Sequence, residues 1–175
     1  MTFQKTIVPA LIKLFVHPVF RRQPLDFKTH LKKANKILIC SPGGEKVVAS
    51  IPRFIELFPH KKTIVLHQGS PIADTDNYSV ISFDTPKQKF WNLIESKLLK
   101  QLTSYKFDVF LDLDPEFNLF TLYLCRFLNS PVRIGFSKLH TSWSYNLEYC
   151  VQKDLSYEKK LEGLLQSLQS FLSLK

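Results

Sequence analysis

The sequence predicts an α/β domain, in which short apolar strands alternate with amphipathic helices around a mostly parallel sheet of about six strands. One basis for this is the segment 36–52, which runs from an apolar strand through two glycines into a helix. Another basis is that short apolar runs alternate along the chain with segments whose apolar residues have the spacing of a helix. A length of 175 residues with 45% hydrophobic side chains is enough for one domain with a buried core.

The apolar runs place the predicted strands at 37–40, 63–67, 78–83, 107–114, 132–136 and 147–152. Helical spacing predicts helices at 25–36, from 45 to about 58, from 84 to about 105, at 117–129 and at 156–174. Asp114-Pro115 precedes the fourth of these helices, and Asp114 is its expected N-cap. Pro52 predicts a kink in the second. The expected architecture is a single three-layer domain over 36–175, with a basic, apolar helical extension over 1–35.

Positive charge is concentrated in that extension. The net charge is +9, and residues 1–36 contribute +7 of it because Asp26 is their only acidic side chain. A uniformly basic nucleic-acid-binding surface would not concentrate its charge in this way, and no known nucleic-acid-binding motif accompanies it. We therefore expect a basic arm and no nucleic-acid partner.

Within the arm, the segment 6–20 is largely apolar but is interrupted by Lys13 and two prolines. It is shorter than the roughly 20 residues that span a bilayer, and it lacks the cleavage site of a signal peptide. Two interpretations stay open. Residues 1–24 lie in the interface of an anionic membrane, or they form a helix that packs against this domain or a partner chain.

The three cysteines, Cys40, Cys125 and Cys150, are an odd number and far apart in the chain. No Cys-x-x-Cys or Cys/His spacing typical of a metal site occurs. The pattern predicts reduced, buried thiols in a cytoplasmic protein, with no metal and no cofactor.

The glycine turn is the first candidate site. Gly43 and Gly44 would let backbone N–H groups at the start of the next helix face a ligand, with Glu45 and Lys46 beside them. The spacing matches neither a P-loop nor a dinucleotide-binding fingerprint. A tight turn followed by a Glu that the helix dipole favours explains the pattern equally well.

Other candidates follow later strands. Asp112 ends the fourth strand, where ligands bind in open α/β sheets, and is either a polar contact or a site group. Arg133, Lys138 and His140 flank the fifth strand, as contacts for an anionic ligand or as solvated charges.

Three segments together resemble the N-terminal half of the heptosyltransferase family of GT-B glycosyltransferases. The segment 37–52 is similar to the opening strand, Gly-Asp turn and Pro-containing helix of that family. The segment 107–114 with its following helix resembles another part, and 130–136 resembles a short strand that ends in Gly-Phe. Residues 149–174 also resemble the end of that domain, so the similarity covers about 36–175.

The resemblance implies a Rossmann-like domain that binds the sugar acceptor. In the family, an Asp after the glycine turn is the proposed base, and here that position carries Glu45. The longer side chain would displace the carboxylate, which is costly in catalysis. The resemblance also implies a second domain for the nucleotide-sugar donor, and 175 residues leave no room for it.

Three functions remain open. The domain, without catalysis of its own, binds a glycan or a protein partner in cell-envelope (lipopolysaccharide) metabolism, in the cytoplasm at the inner membrane. Alternatively, it is a glycosyltransferase completed in trans by a homodimer or a donor-binding chain, with Glu45 as base. It could also be a structural or assembly protein that keeps only the fold.

Overall fold

A computed structural model describes residues 25–83, 96–116, 118–138, 144–152 and 154–173. Residues 1–24 of the extension predicted over 1–35, the first part of the helix predicted from 84, and His140 lie outside these residues.

The described chain contains these strands: β1 (Lys36–Ser41), β2 (Lys62–Gln68), β3 (Tyr78–Phe83), β4 (Val109–Asp112), β5 (Val132–Phe136) and β6 (Leu147–Tyr149). It contains these helices: α1 (Phe27–Lys33), α2 (Glu45–Ile55), α3 (Ser96–Tyr105), α4 (Leu119–Leu128) and α5 (Tyr157–Ser173). The predicted α/β fold is confirmed, and β3 and β5 have the predicted bounds.

The six strands form one sheet in the order β3-β2-β1-β4-β5-β6, and every neighbouring pair is parallel. This is the doubly wound, Rossmann-like order, in which the chain starts in the middle of the sheet and builds outward in both directions. All strands therefore begin at one edge of the sheet, the amino edge, and end at the other, the carboxyl edge.

Side chains alternate between two apolar layers. Along β1, Ile37 and Ile39 pack with residues of α1, α2 and α5, whereas Leu38 and Cys40 pack with residues of α3 and α4. This alternation is the period of two expected for a strand that is covered on both faces. The result is the predicted three-layer arrangement of helices, sheet and helices.

Helix α1 belongs to the first of these layers. Asp26 caps it by accepting a hydrogen bond from the Thr29 backbone N–H, at 3.1 Å. Leu31 and Ala34 are buried in the same core as the sheet. No helix in the described residues is long and apolar enough to cross a membrane.

Two local expectations are wrong. The N-cap of α4 is Asn118, whose side chain accepts hydrogen bonds from the backbone N–H groups of Phe120 and Thr121. Asp114 instead accepts from the Glu116 backbone N–H at 2.8 Å and closes a turn before the helix. Cys150 is exposed, because it lies just beyond β6, while Cys40 and Cys125 are buried as expected.

Candidate functional site

The order of the strands places a topological switch point between β1 and β4, where open α/β sheets form a crevice. After β1 the chain passes to α2 on one face of the sheet, and after β4 it passes to α4 on the other. In open α/β sheets, ligands bind beyond the carboxyl ends of the strands at such a switch point. In this chain, the turn after β1 and the Asp112–Asp114 segment after β4 lie there.

The turn after β1 depends on its glycines. Gly44 is the N-cap of α2 and has a φ of 122°, which side-chain-bearing residues rarely adopt. A Cβ on Gly43 would lie 2.6 Å from the backbone oxygen of Gln68, so only glycine fits against the end of β2. Glu45 follows in the first turn of α2 and is exposed. The turn therefore presents one carboxylate at a helix N-terminus, where the dipole stabilises its negative charge.

Lys46 forms an ion pair with Glu158 of α5. Its ammonium group lowers the pKa of Glu158 to about 2. Both side chains are largely exposed, and such surface pairs stabilise a protein little. Lys46 thus lies beside the turn with its charge directed to α5.

Asp112 is fully buried, on the same side of β4 as Phe110. Its Oδ2 accepts hydrogen bonds from the Tyr145 hydroxyl and, at 2.9 Å, from the Lys138 ammonium. Its Oδ1 accepts from the Asp114 backbone N–H at 2.9 Å. We call Asp112, Lys138 and Tyr145 the Asp112 cluster. The three side chains fasten the segment after β5 to the end of β4, and the Asp112 carboxylate is enclosed by its partners.

Lys138 is itself buried, with 4% of its side chain exposed. It contributes its charge to Asp112 and also lies over the Tyr145 ring, 5.8 Å from the centroid. Arg133 lies near the amino end of β5, and its guanidinium donates to the carbonyl oxygens of Ser130 and Ser144, each at 2.8 Å. Of these two predicted cations, the structure brings only Lys138 to the carboxyl edge.

Asp114 is the second buried carboxylate at this edge. Burial, and then the neighbouring Asp112 carboxylate, raise the pKa of Asp114. Nearby, the Tyr157 hydroxyl donates to the Leu113 carbonyl at 2.7 Å, and burial raises the pKa of Tyr157. The edge therefore carries two adjacent carboxylates, and burial disfavours the ionised form of Asp114.

Replacement of Asp114 by Asn should raise the free energy of unfolding at pH 7. The raised folded-state pKa means that the folded protein binds this proton more tightly than the unfolded chain. Ionised Asp114 thus destabilises the fold above its folded-state pKa, and the penalty disappears as pH falls below its unfolded value. Denaturation of both proteins from pH 7 to pH 4 checks this. A difference in the free energy of unfolding between the two proteins that stays constant with pH would contradict this prediction.

Two further polar residues meet where β1 and β2 end. His67 Nδ1 lies 3.4 Å from the Ser41 hydroxyl oxygen, and both residues are buried. Burial lowers the pKa of His67, so its imidazole is neutral at pH 7. Cys40 lies beside Asp112 in the register of the sheet, and burial raises the pKa of its thiol. The thiol is therefore protonated and is not a nucleophile.

Sequence reasoning missed His67, Tyr145 and Tyr157 at this edge. His67 could have been identified from the sequence, because it lies near the end of a buried strand next to β1 in the sheet. Tyr145 and Tyr157 reach the edge from loops and helices distant in sequence, and no local pattern reveals them. In the part of the chain that the structure describes, no group of three His, Cys, Asp or Glu side chains is placed to hold a metal.

No protein-family model matches the sequence, and the search of curated proteins found no match. Among solved structures, the fold is similar to that of "the glycosyl transferase family 9 from Veillonella parvula DSM 2008", with a TM-score of 0.56 and 16% identity. The match covers 81% of this chain and 42% of that chain. The chain thus spans less than half the length of this structural neighbour, with which it shares a glycosyltransferase-like, Rossmann-like fold.

Proposed function

We propose that this domain is the acceptor-side half of a heptosyltransferase-like protein and binds a cell-envelope glycan in the crevice between β1 and β4. Gly43, Gly44 and Glu45 would line one wall of that site, and the Asp112–Asp114 segment the other. In this proposal the domain works in the cytoplasm at the inner membrane, and it transfers no sugar by itself.

The observation that carries the proposal is the charge of the carboxyl edge. Transfer from a nucleotide sugar requires cations or oriented N–H groups that stabilise the leaving diphosphate. Among the described residues of this edge, the lysines nearest the crevice are Lys46 and Lys138, and each is paired with a carboxylate. The exposed carboxylate of Glu45 suits the hydroxyls of a neutral sugar better than the phosphates of a donor.

Calorimetric titration tests this assignment. We expect heptose- or hexose-containing oligosaccharides to bind, and UDP, ADP and GDP to bind much more weakly or not at all. Gly43→Val, which places a side chain against the Gln68 carbonyl, should abolish glycan binding. Tight binding of a nucleoside diphosphate, or no binding of any glycan, would refute the proposal.

The second candidate is a glycosyltransferase completed in trans, by a second copy or by a separate donor-binding chain. The fold is shared with 42% of a glycosyl transferase chain, and this similarity supports the candidate. Glu45 would be the base, since it is exposed at a helix N-terminus beside the crevice. The carboxylate of Asp112, in contrast, is enclosed by its partners.

If this candidate holds, Glu45→Gln should lower the transfer rate of the reconstituted complex by about 10²–10⁴-fold, the usual contribution of a general base. Lys46→Gln is the matched control, because it changes the neighbouring exposed residue and should leave the rate within a few-fold. Radiolabelled sugar transfer measures both. Equal rates for Glu45→Gln and the parent protein would remove Glu45 from the mechanism.

A further inference from the structure

The amino edge of the sheet, opposite the candidate site, collects lysines from four separate segments. They come from the last turn of α1, the first residue of β1, the start of β2 and the turn before β4. We call them the basic edge: Lys32, Lys33, Lys36, Lys61, Lys62 and Lys106.

Contacts between these segments show that the lysines form one surface. The Lys61 ammonium donates to the Lys32 carbonyl at 3.3 Å, which joins the start of β2 to α1. Lys36 and Lys62 are register partners on neighbouring strands. The Lys62 ammonium lies 5.2 Å from the centroid of the Tyr105 ring, and Lys106 is the next residue in the chain.

Carboxylates do not neutralise this surface. Asp108 lies within it, but its Oδ2 accepts the backbone N–H groups of Asn35 and Lys36, at 2.8 and 3.0 Å. Glu56 and Asp76 belong to segments that also reach this side of the domain. Within the described chain, no ion pair involves a lysine of the basic edge.

The opposite edge carries exposed acidic side chains instead: Glu45, Glu116 and Asp154. Lys46 and Lys138 at that edge are paired with Glu158 and Asp112. The domain is therefore electrostatically polar along its strands. A negatively charged surface would attract the amino edge and repel the carboxyl edge, so it would orient the domain as well as bind it.

We propose that the basic edge docks on the surface of an anionic lipid bilayer and holds the carboxyl edge away from it. Clusters of four to eight Lys or Arg residues are typical of protein surfaces that bind anionic lipids. The six lysines carry compact, flexible charges, which suit diffuse attraction to lipid headgroups. The sequence adds an apolar segment with further basic residues directly before α1, and bilayers attract both features.

Sedimentation of the full chain with vesicles tests this inference. We expect binding to vesicles of phosphatidylcholine with phosphatidylglycerol, no binding to phosphatidylcholine alone, and loss of binding as salt concentration rises. Each lysine removed from such a surface weakens binding by roughly fivefold, so Lys32→Gln/Lys33→Gln/Lys62→Gln should weaken it about 100-fold. All three are exposed, and their replacement should leave the fold intact.

The matched control is Lys97→Gln/Lys100→Gln/Lys159→Gln, which removes the same charge from exposed positions on α3 and α5. The control should weaken vesicle binding only a few-fold. An equal loss in both variants, no binding to anionic vesicles, or binding of a single-stranded oligonucleotide in place of vesicles would overturn the inference. The inference rests on the membrane location in the proposed function, but its test is separate from that of glycan binding, which should be the same in both triple variants.

Discussion

Replacement of Asp112 by Ala should lower the free energy of unfolding by about 3–5 kcal/mol, the cost of breaking a buried ion pair by removing one partner. Without the carboxylate, the Lys138 ammonium is buried without the acceptor that it has at 2.9 Å. The Tyr145 hydroxyl and the Asp114 backbone N–H lose their acceptor as well. Urea denaturation at pH 7, followed by circular dichroism, measures the loss.

Two controls separate the buried charge from other effects. Glu162→Ala breaks the pair between Arg53 and Glu162, whose side chains are 52% and 39% exposed, and should cost less than about 1 kcal/mol. The double variant Asp112→Ala/Lys138→Met should be more stable than Asp112→Ala alone, because it removes a buried cation that has lost the Asp112 carboxylate. If Asp112→Ala costs no more than Glu162→Ala, the Asp112 cluster does not hold the segment after β5.

The central strands could be predicted from sequence because a strand that is buried on both faces is a nearly continuous run of apolar residues. Each central strand is a run of apolar residues bounded by polar or turn residues, and β5 was found to the residue. The edge strand β3 is only partly buried, and its bounds were also predicted. The start of α4 could not be found in this way. An Asp before Pro is equally compatible with an N-cap and with a turn that precedes the helix, and here the turn forms and Asn118 caps.

The site was predictable only where its residues are neighbours in the chain. Gly43, Gly44 and Glu45 are consecutive, and the strand–turn–helix pattern places them at the carboxyl edge. Asp112 and Tyr145 are 33 residues apart, and their contact depends on how the segment after β5 folds back over the sheet. The sequence identifies Asp112 as a polar residue at the end of a strand. Only the structure shows that its carboxylate accepts hydrogen bonds from Lys138 and Tyr145.

Replacement of Gly135 by Ala should lower the free energy of unfolding by about 2–3 kcal/mol, near the upper end of the usual cost of overpacking a core. A Cβ at this position would lie 2.7–2.9 Å from three atoms of the Tyr145 ring. The ring is 4% exposed and its hydroxyl is bonded to Asp112, so it has little space in which to move. Thermal and urea denaturation would measure the loss.

Gly163→Ala is the matched control. Its Cβ would also meet a tyrosine, but the atom in closest contact is the hydroxyl of the half-buried Tyr149, at the end of a side chain that can rotate away. Alanine is also favoured over glycine within a helix by up to about 1 kcal/mol. We therefore expect Gly163→Ala to be close to neutral.

A double-mutant cycle with Tyr145→Ala identifies the cause of the Gly135 effect. Once the ring is absent, the new methyl group has space, and Gly135→Ala should cost little, because it also restricts the unfolded chain. The two substitutions should then be strongly non-additive. An undiminished cost in the Tyr145→Ala background would mean that the backbone of β5 requires glycine and that the ring does not. Loss of the penalty would show that Gly135 is required so that Tyr145 can lie flat against β5 and reach Asp112.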